Sequence, residues 1–476
     1  MLIAQQDPPT IMRQILDSGL VPIRMVDIEL GQRLPSISAF DEETGQCYQY
    51  AKCLVRLHTQ PIGIIELQLN KNTVNGQEYV QQIWLTLGEQ INEHLVQDGL
   101  SPVTDLDEEG LSSHGTPRCI KAREQFLVNA PFVSVIVPTH DRPEQLSICL
   151  CSLMSLIYPR YEVIIVDNAP STNATVNLIK QKYCTESQVR YIREDRQGPS
   201  WARNCGMKVA KGEILAFTDD DVVVDPYWLV ELVRAFTIAN DVVCVTGLVL
   251  PLELETAAQL LFEEYGGFTK GLARRIFEKR QRSSKMPLHP YVAGRFGTGA
   301  SMAFTATFLQ SIGGFDPALG GNGPSRNGQD IAVFFQVIMR GYKLVYEPAS
   351  LLYHLHRRDY AGLRKQIYNY GVGFTAFLMK SLLENPLILF DLLTKVPYGL
   401  FFILSTRSPK NSKKSKSYPK ELTTLERKGM MYGPLAYLQS RRIVHQTLKA
   451  CRSVESYSVP SAPKEFCHSE NITSMD

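Results

Sequence analysis

The 476-residue sequence lacks a net charge of consequence, a CxxC pair, a nucleotide-binding glycine motif and a long uncharged apolar run. Each absence removes a class of function. A formal charge of +2, from 50 basic and 48 acidic residues, gives no whole-chain field to gather nucleic acid. Among the ten cysteines several sit inside apolar runs, as Cys53, Cys149 and Cys244 do, which reads as reduced thiols of a cytoplasmic protein rather than a disulfide frame. The opening "MLIAQQDPPT" has no basic region followed by an apolar stretch, so a signal peptide is not expected and the sequon at Asn471 reads as chance. The first strand-like run ends in "PTHDRPE" without glycine, and "GTGASM" lacks the third glycine of a dinucleotide fingerprint. A Walker A loop is missing too, so dehydrogenase and P-loop readings fail.

Three regions and a linker are present. Residues 1–100 mix strand-like runs ("CLVRLHTQPIGIIELQL") with a helical one and read as a small α/β domain. Residues 101–130, polar at their start, read as a linker. From 131 to 360, β-branched runs such as "FVSVIVP", "YEVIIVDN" and "GEILAF" alternate with helical stretches. That alternation predicts a mainly parallel, Rossmann-like α/β sheet with helices on both faces. Residues 361–476 read as a helical, basic C-terminal region.

Ligands of such sheets bind beyond the carboxyl ends of the strands. Thr139, His140 and Asp141, then Asp167 and Asn168, then Asp219, Asp220 and Asp221 fall at those ends. Two carboxylates about 5 Å apart repel by roughly 3 kcal/mol at an effective dielectric near 20. In extended backbone Asp219 and Asp221 share a side while Asp220 points away, an arrangement suited to Mg²⁺ or Mn²⁺. A solvated turn before the helix starting at Pro226 is the alternative for the triplet taken alone.

In order, "VSVIVPTHDR", "VIIVDN", "GPSWARNCGMKVAKGEILAFTDDD", "GASMAFTATFLQSIGGFDPAL" and "NGQDIAVFFQVIMRGYKLVYEP" resemble the inverting family 2 glycosyltransferases of the glycosyltransferase A fold. The resemblance runs from about Val133 to His356. It implies that Pro138, Thr139, His140, Asp141 and Asp167 line a nucleotide pocket, with Arg203, Asp219 and Asp220 on the nucleotide-sugar. It further implies Asp221 as metal ligand assisted by His354, and Asp330 as general base on the acceptor hydroxyl. The sequence departs from the family pattern at Asn168, Gln329 and Ala332. Arg357 and Arg358 are candidates for a diphosphate clamp. The pair His354 and His356 lacks the further ligands of a zinc site.

"NPLILFDLLTKVPYGLFFIL" (385–404) is interrupted by Asp391, Lys395 and Pro397, so it is not expected to span a membrane. The following "STRSPKNSKKSKSYPK" carries Arg407, Lys410, Lys413, Lys414, Lys416 and Lys420 without an acid, which suggests peripheral contact with a cytoplasmic membrane face. The expected partners are a nucleotide-sugar donor and a saccharide or lipid-linked acceptor, with no nucleic acid. A non-catalytic nucleotide-sugar scaffold and a nucleotidyltransferase remain the alternatives.

Overall fold

The computed structural model describes residues 21–69, 72–111, 115–280, 286–412 and 414–455. Strands β1 (Ile23–Glu29), β2 (Tyr50–Leu57) and β3 (Gln60–Gln68) form a separate three-stranded sheet, backed by helix α1 (Gly76–Gln97). The helix buries Tyr79, Ile83, Leu87 and Ile91 on that sheet, at the three-to-four residue spacing of one helical face.

The stretch expected as a linker contains helix α2 (Arg118–Val128). Its Arg123 is buried, lies over the Tyr227 ring and bonds the Glu231 carboxylate at 2.8 Å. A linker would leave these groups in water; here the helix is docked.

The main sheet contains β4 (Val133–Thr139), β5 (Tyr161–Asn168), β6 (Val189–Glu194), β7 (Ile214–Phe217), β8 (Val222–Val224), β9 (Val242–Pro251), β10 (Arg275–Phe277), β11 (Met302–Thr305) and β12 (Lys343–His354). Its order is β10-β12-β9-β11-β7-β4-β5-β6, with β8 pairing β12. The strands run parallel through β7-β4-β5-β6 and again in β9-β12, and β11 inserts antiparallel between the two blocks. Along β4 and β5 alternate residues enter opposite cores: Ile136, Ile164 and Val166 one, Val135, Val137, Val163 and Ile165 the other. Helices therefore cover both faces. On one lie α3 (Pro143–Met154) and α6 (Trp228–Arg234); on the other lies α5 (Pro199–Val209), while α4 (Ala174–Lys182) packs beside α3.

Helix α7 (Ala257–Tyr265) is followed by the edge strand β10, which pairs antiparallel with β12; 281–285 lie outside the described residues. Helices α8 (Ala306–Ser311), α9 (Pro317–Gly320) and α10 (Gln329–Met339) complete the second half. Beyond β12 run α11 (Tyr360–Glu384), α12 (Ile388–Leu404) and α13 (Lys420–Glu455), with α11 and α13 in close mutual contact. Glycines make that approach possible: a Cβ on Gly371 would meet the Glu426 carbonyl oxygen at 2.1 Å. No described helix is long and apolar enough to cross a membrane.

The small sheet is tied to the large domain by buried ion pairs. Arg56 meets Asp225 at 2.8 Å, and Lys52 meets Glu263 at 3.5 Å.

Candidate active site

Strand β7 ends at Phe217, so the acidic triplet lies just past its paired residues. Asp219 and Asp221 nonetheless come to one side. Asp220 turns to the tip of β4: it is buried, accepts from the Thr139 hydroxyl at 2.8 Å and lies 3.2 Å from the Arg142 guanidinium. Asp219 is the partly exposed member and accepts from Arg203 Nη2 at 3.0 Å. Asp221 is buried between Arg142, at 3.1 Å, and His354 Nε2, at 3.2 Å.

These contacts divide the charge. Burial, and then the neighbouring Asp221, push the Asp220 carboxyl up to about 6. Burial also acts to raise Asp221, but His354, Arg142 and Arg357 outweigh it and hold that carboxyl well below the usual range. Burial would lower His354, yet the Asp221 carboxylate beside it raises the imidazole instead. The repulsion anticipated for the triplet is thus offset by the cationic groups of Arg142, Arg203 and His354 beside the carboxylates.

Asp219, Asp221 and His354 each offer a ligand atom, and the three atoms lie within 4.8 Å of one another. Asp221 Oδ1 is buried and accepts no well-aligned hydrogen bond. A carboxylate pair with one imidazole and an unsatisfied oxygen fits a hard divalent cation that keeps open positions for phosphate oxygens.

A cleft of about 1040 Å³ opens beside the cluster and is lined by Arg142, Arg203, Asp219, Asp330, His354 and Arg357, among others. Asp330 is the second residue of α10, where the helix dipole favours a carboxylate. Its Oδ2 accepts from the Gly299 N–H at 3.0 Å, and the Gly299 carbonyl lies 3.4 Å from Arg203 Nη2, the group that bonds Asp219. One glycine therefore spaces Asp330 from the acidic cluster. A Cβ at that position would meet Asp330 Oδ2 at 3.2 Å and Arg203 Nη2 at 3.3 Å.

The remaining candidates sit at the tips of β4 and β5, beside the cleft rather than in its wall. Pro138 and Thr139 pair with Val166 and Asp167 across the two strands. Asp167 is buried, bonds the Tyr191 hydroxyl at 2.8 Å and keeps Oδ1 without a partner; burial raises its carboxyl. The His140 ring contacts the Asn168 carbonyl at 2.7 Å. Asp141 is exposed, has a φ of 53° and accepts from the Ser171 N–H at 3.0 Å.

Two groups were not singled out from the sequence. Arg142 touches both Asp220 and Asp221, and its signal was only its place directly after "PTHD". Lys270 lines the cleft, and its burial pushes the ammonium down to about 8 against the opposing pull of Asp330; no local motif marks it. The departures from the family pattern have physical reasons. Asn168 accepts from the Gly198 N–H at 2.7 Å and donates to the Arg196 carbonyl at 2.8 Å, a double role no aspartate could fill. Ala332 is core. Of the two arginines, Arg357 faces the cleft while Arg358 turns away to Glu253 and Glu255.

Residues 134–298 match the family model described as Glycosyl transferase family 2. The chain carries a family 2 glycosyltransferase domain. The segment holds β4 to β10 and the whole acidic triplet. Glycosyltransferase AglE of Haloferax volcanii is 38% identical over 102 residues, covering 21% of this chain and 33% of its own length. The pre-mycofactocin glycosyltransferase of Mycobacterium tuberculosis is 24% identical over 239 residues, covering 50% and 46%. The chain thus spans between a third and a half of the length of these relatives. A solved mannosyltransferase of Pyrobaculum calidifontis, in complex with GDP-Man and Mn²⁺, overlaps 71% of this chain and 88% of its own at 17% identity and a TM-score of 0.39.

Proposed function

We propose that this family 2 glycosyltransferase domain moves a sugar from a nucleotide-sugar donor to an acceptor hydroxyl with inversion, in polysaccharide or glycoconjugate synthesis. The observation that carries the reading is the juxtaposition across Gly299: the Asp330 carboxylate, held by the Gly299 N–H, on one side and the Arg203–Asp219 pair leading to Asp221 and His354 on the other. An inverting transfer needs a base on the acceptor and positive charge on the departing diphosphate, on opposite sides of the sugar.

Asp219, Asp221 and His354 would hold Mg²⁺ or Mn²⁺. Such an ion, when bound, supplies Lewis-acid charge to the diphosphate. Arg142, Arg203 and Arg357 add fixed cationic charge on the same wall. Thr139, His140, Asp141 and Asp167 receive the nucleoside end, and Asp330 takes the proton of the acceptor hydroxyl.

A lipid-linked acceptor is favoured by helix α12, which lines the cleft through Leu392 and Val396 while leaving Phe390 and Leu393 exposed. That face is the reading's peripheral membrane contact. The basic run beside it is less free than its sequence implied. Lys410 pairs with Glu426 and Lys414 with the Thr423 hydroxyl, while Lys413 lies outside the described residues.

Turnover of a panel of nucleotide sugars with Asp330→Asn tests the assignment. The variant should keep donor binding and lose activity by about 10²–10⁴-fold, the usual contribution of a general base. Wild type that binds donors but turns none over would instead favour a scaffold. Pyrophosphate release in place of nucleoside diphosphate would indicate nucleotidyl transfer.

A further inference from the structure

Four side chains from three separate elements converge in the small domain, away from the cleft. His58 lies in the two-residue turn between β2 and β3. His94 and Asp98 stand one turn apart at the end of α1, and Cys119 is the second residue of α2. One ligand atom from each falls within 4.8 Å of the others. His58 Nδ1 is 2.6 Å from Asp98 Oδ2 and 3.2 Å from His94 Nε2; His94 Nε2 is 3.2 Å from Asp98 Oδ2; Cys119 Sγ is 2.9 Å from the same oxygen. His58 and Asp98 are buried.

Hydrogen bonds alone leave one repulsive edge in this group. The two ring nitrogens and the carboxylate oxygen form a triangle of close contacts. If both nitrogens carry hydrogen toward the oxygen, the His58–His94 edge sets two donors face to face. If His94 Nε2 is bare, its lone pair faces that of the oxygen instead. A cation inside the group removes the conflict, because all four atoms then present lone pairs to one point. The two edges at His94, both 3.2 Å, match a tetrahedron with bonds of about 2.0 Å, while the 2.6 and 2.9 Å contacts of Asp98 Oδ2 would lengthen on binding.

Asp98 is oriented for such a role. Its Oδ1 accepts from the Cys119 N–H at 2.9 Å, which leaves Oδ2 aimed at the cluster. The turn is braced as well: the Glu29 carboxylate accepts from the N–H groups of His58 and Thr59 at 3.0 and 2.9 Å. Both residues have positive φ, 54° and 69°, in a position where glycine or asparagine is usual. That local cost is one a ligand held by His58 would offset.

We propose that His58, His94, Asp98 and Cys119 form a structural zinc site that fastens the β2–β3 turn to the ends of α1 and α2. Two imidazoles, one thiolate and one carboxylate are a tetrahedral zinc donor set, and the two anions balance the ion's charge. The site adjoins the docking of the small domain, since Thr59 accepts from Arg123, the residue that bonds Glu231 on α6. The inference is independent of the glycosyl-transfer reading.

Cobalt(II) titration of the full-length protein in millimolar Mg²⁺ reads the site directly, because only a thiolate ligand produces a sulfur-to-cobalt charge-transfer band and Mg²⁺ competes for the oxygen-rich cluster. The expected result is one equivalent of Co²⁺ with that band, displaced by one equivalent of Zn²⁺, and a lower Tm after chelation. Cys119→Ser should lose the band while its far-ultraviolet circular dichroism matches wild type. His94→Ala should weaken Zn²⁺ binding at least a hundred-fold. A wild type with no thiolate band, or a Cys119→Ser variant with an undiminished one, overturns the proposal.

Discussion

Glu263→Gln tests how the small domain is coupled to the active-site floor. Glu263, on α7, lies 3.5 Å from Lys52 of β2 and 3.1 Å from His356 Nε2. His356 Nδ1 is 3.3 Å from His354 Nδ1, and His354 reaches Asp221. Burial raises the Glu263 carboxyl, but Lys52 and His356 outweigh it and bring it from its ordinary 4.5 down to about 2. At ~1.4 kcal/mol per pH unit, that fall corresponds to about 3 kcal/mol. The range for breaking a buried pair, roughly 3–5 kcal/mol, agrees. The folded-state value is depressed, so this stability is present in full above the unfolded value of 4.5 and is lost as pH falls toward about 2.

Hydrogen exchange suits a multidomain chain better than a single unfolding midpoint. Amides of α7 and β2 in Glu263→Gln should exchange about a hundred-fold faster than wild type near neutral pH. The ratio should shrink as pH drops, with about half of the free-energy difference gone by roughly pH 3.3. A ratio near one at neutral pH, or one that does not change with pH, refutes the coupling.

Asp221→Ala should abolish the Mn²⁺-dependent part of nucleotide-sugar binding, measured as heat release with and without the metal, while leaving the metal-free part. Gly206→Ala would place a Cβ 2.5 Å from Ile136 Cγ2, where α5 packs on β4, so denaturant unfolding should show a loss of about 1–3 kcal/mol. Phe390→Glu combined with Leu393→Glu should reduce co-sedimentation with anionic vesicles without lowering Tm, because both side chains are exposed. Unchanged sedimentation would remove α12 as the membrane contact.

The strand–helix alternation and the acidic strand ends were legible because they are local. Continuous β-branched runs fix buried strands, and glycines and prolines mark their ends. The partners of Asp220 were not legible, since Thr139 and Arg142 arrive from another strand end. The docking of α2 escaped for a similar reason: its single buried arginine pairs with a glutamate 108 positions away. The exposed face of α12 and the inward turn of Lys410 likewise depend on which surfaces α11 and α13 leave open.

By itself the sequence determined which segments form the parallel sheet and that carboxylates crowd its ends, because hydrophobic period and strand-end position act over a few residues. Tertiary structure alone decided which carboxyl is raised and which is lowered, which arginines lie beside them, and that His58, His94, Asp98 and Cys119 meet. Those outcomes turn on desolvation and on charges a few ångströms apart in space, and such distances are set only when elements far apart in the chain pack together.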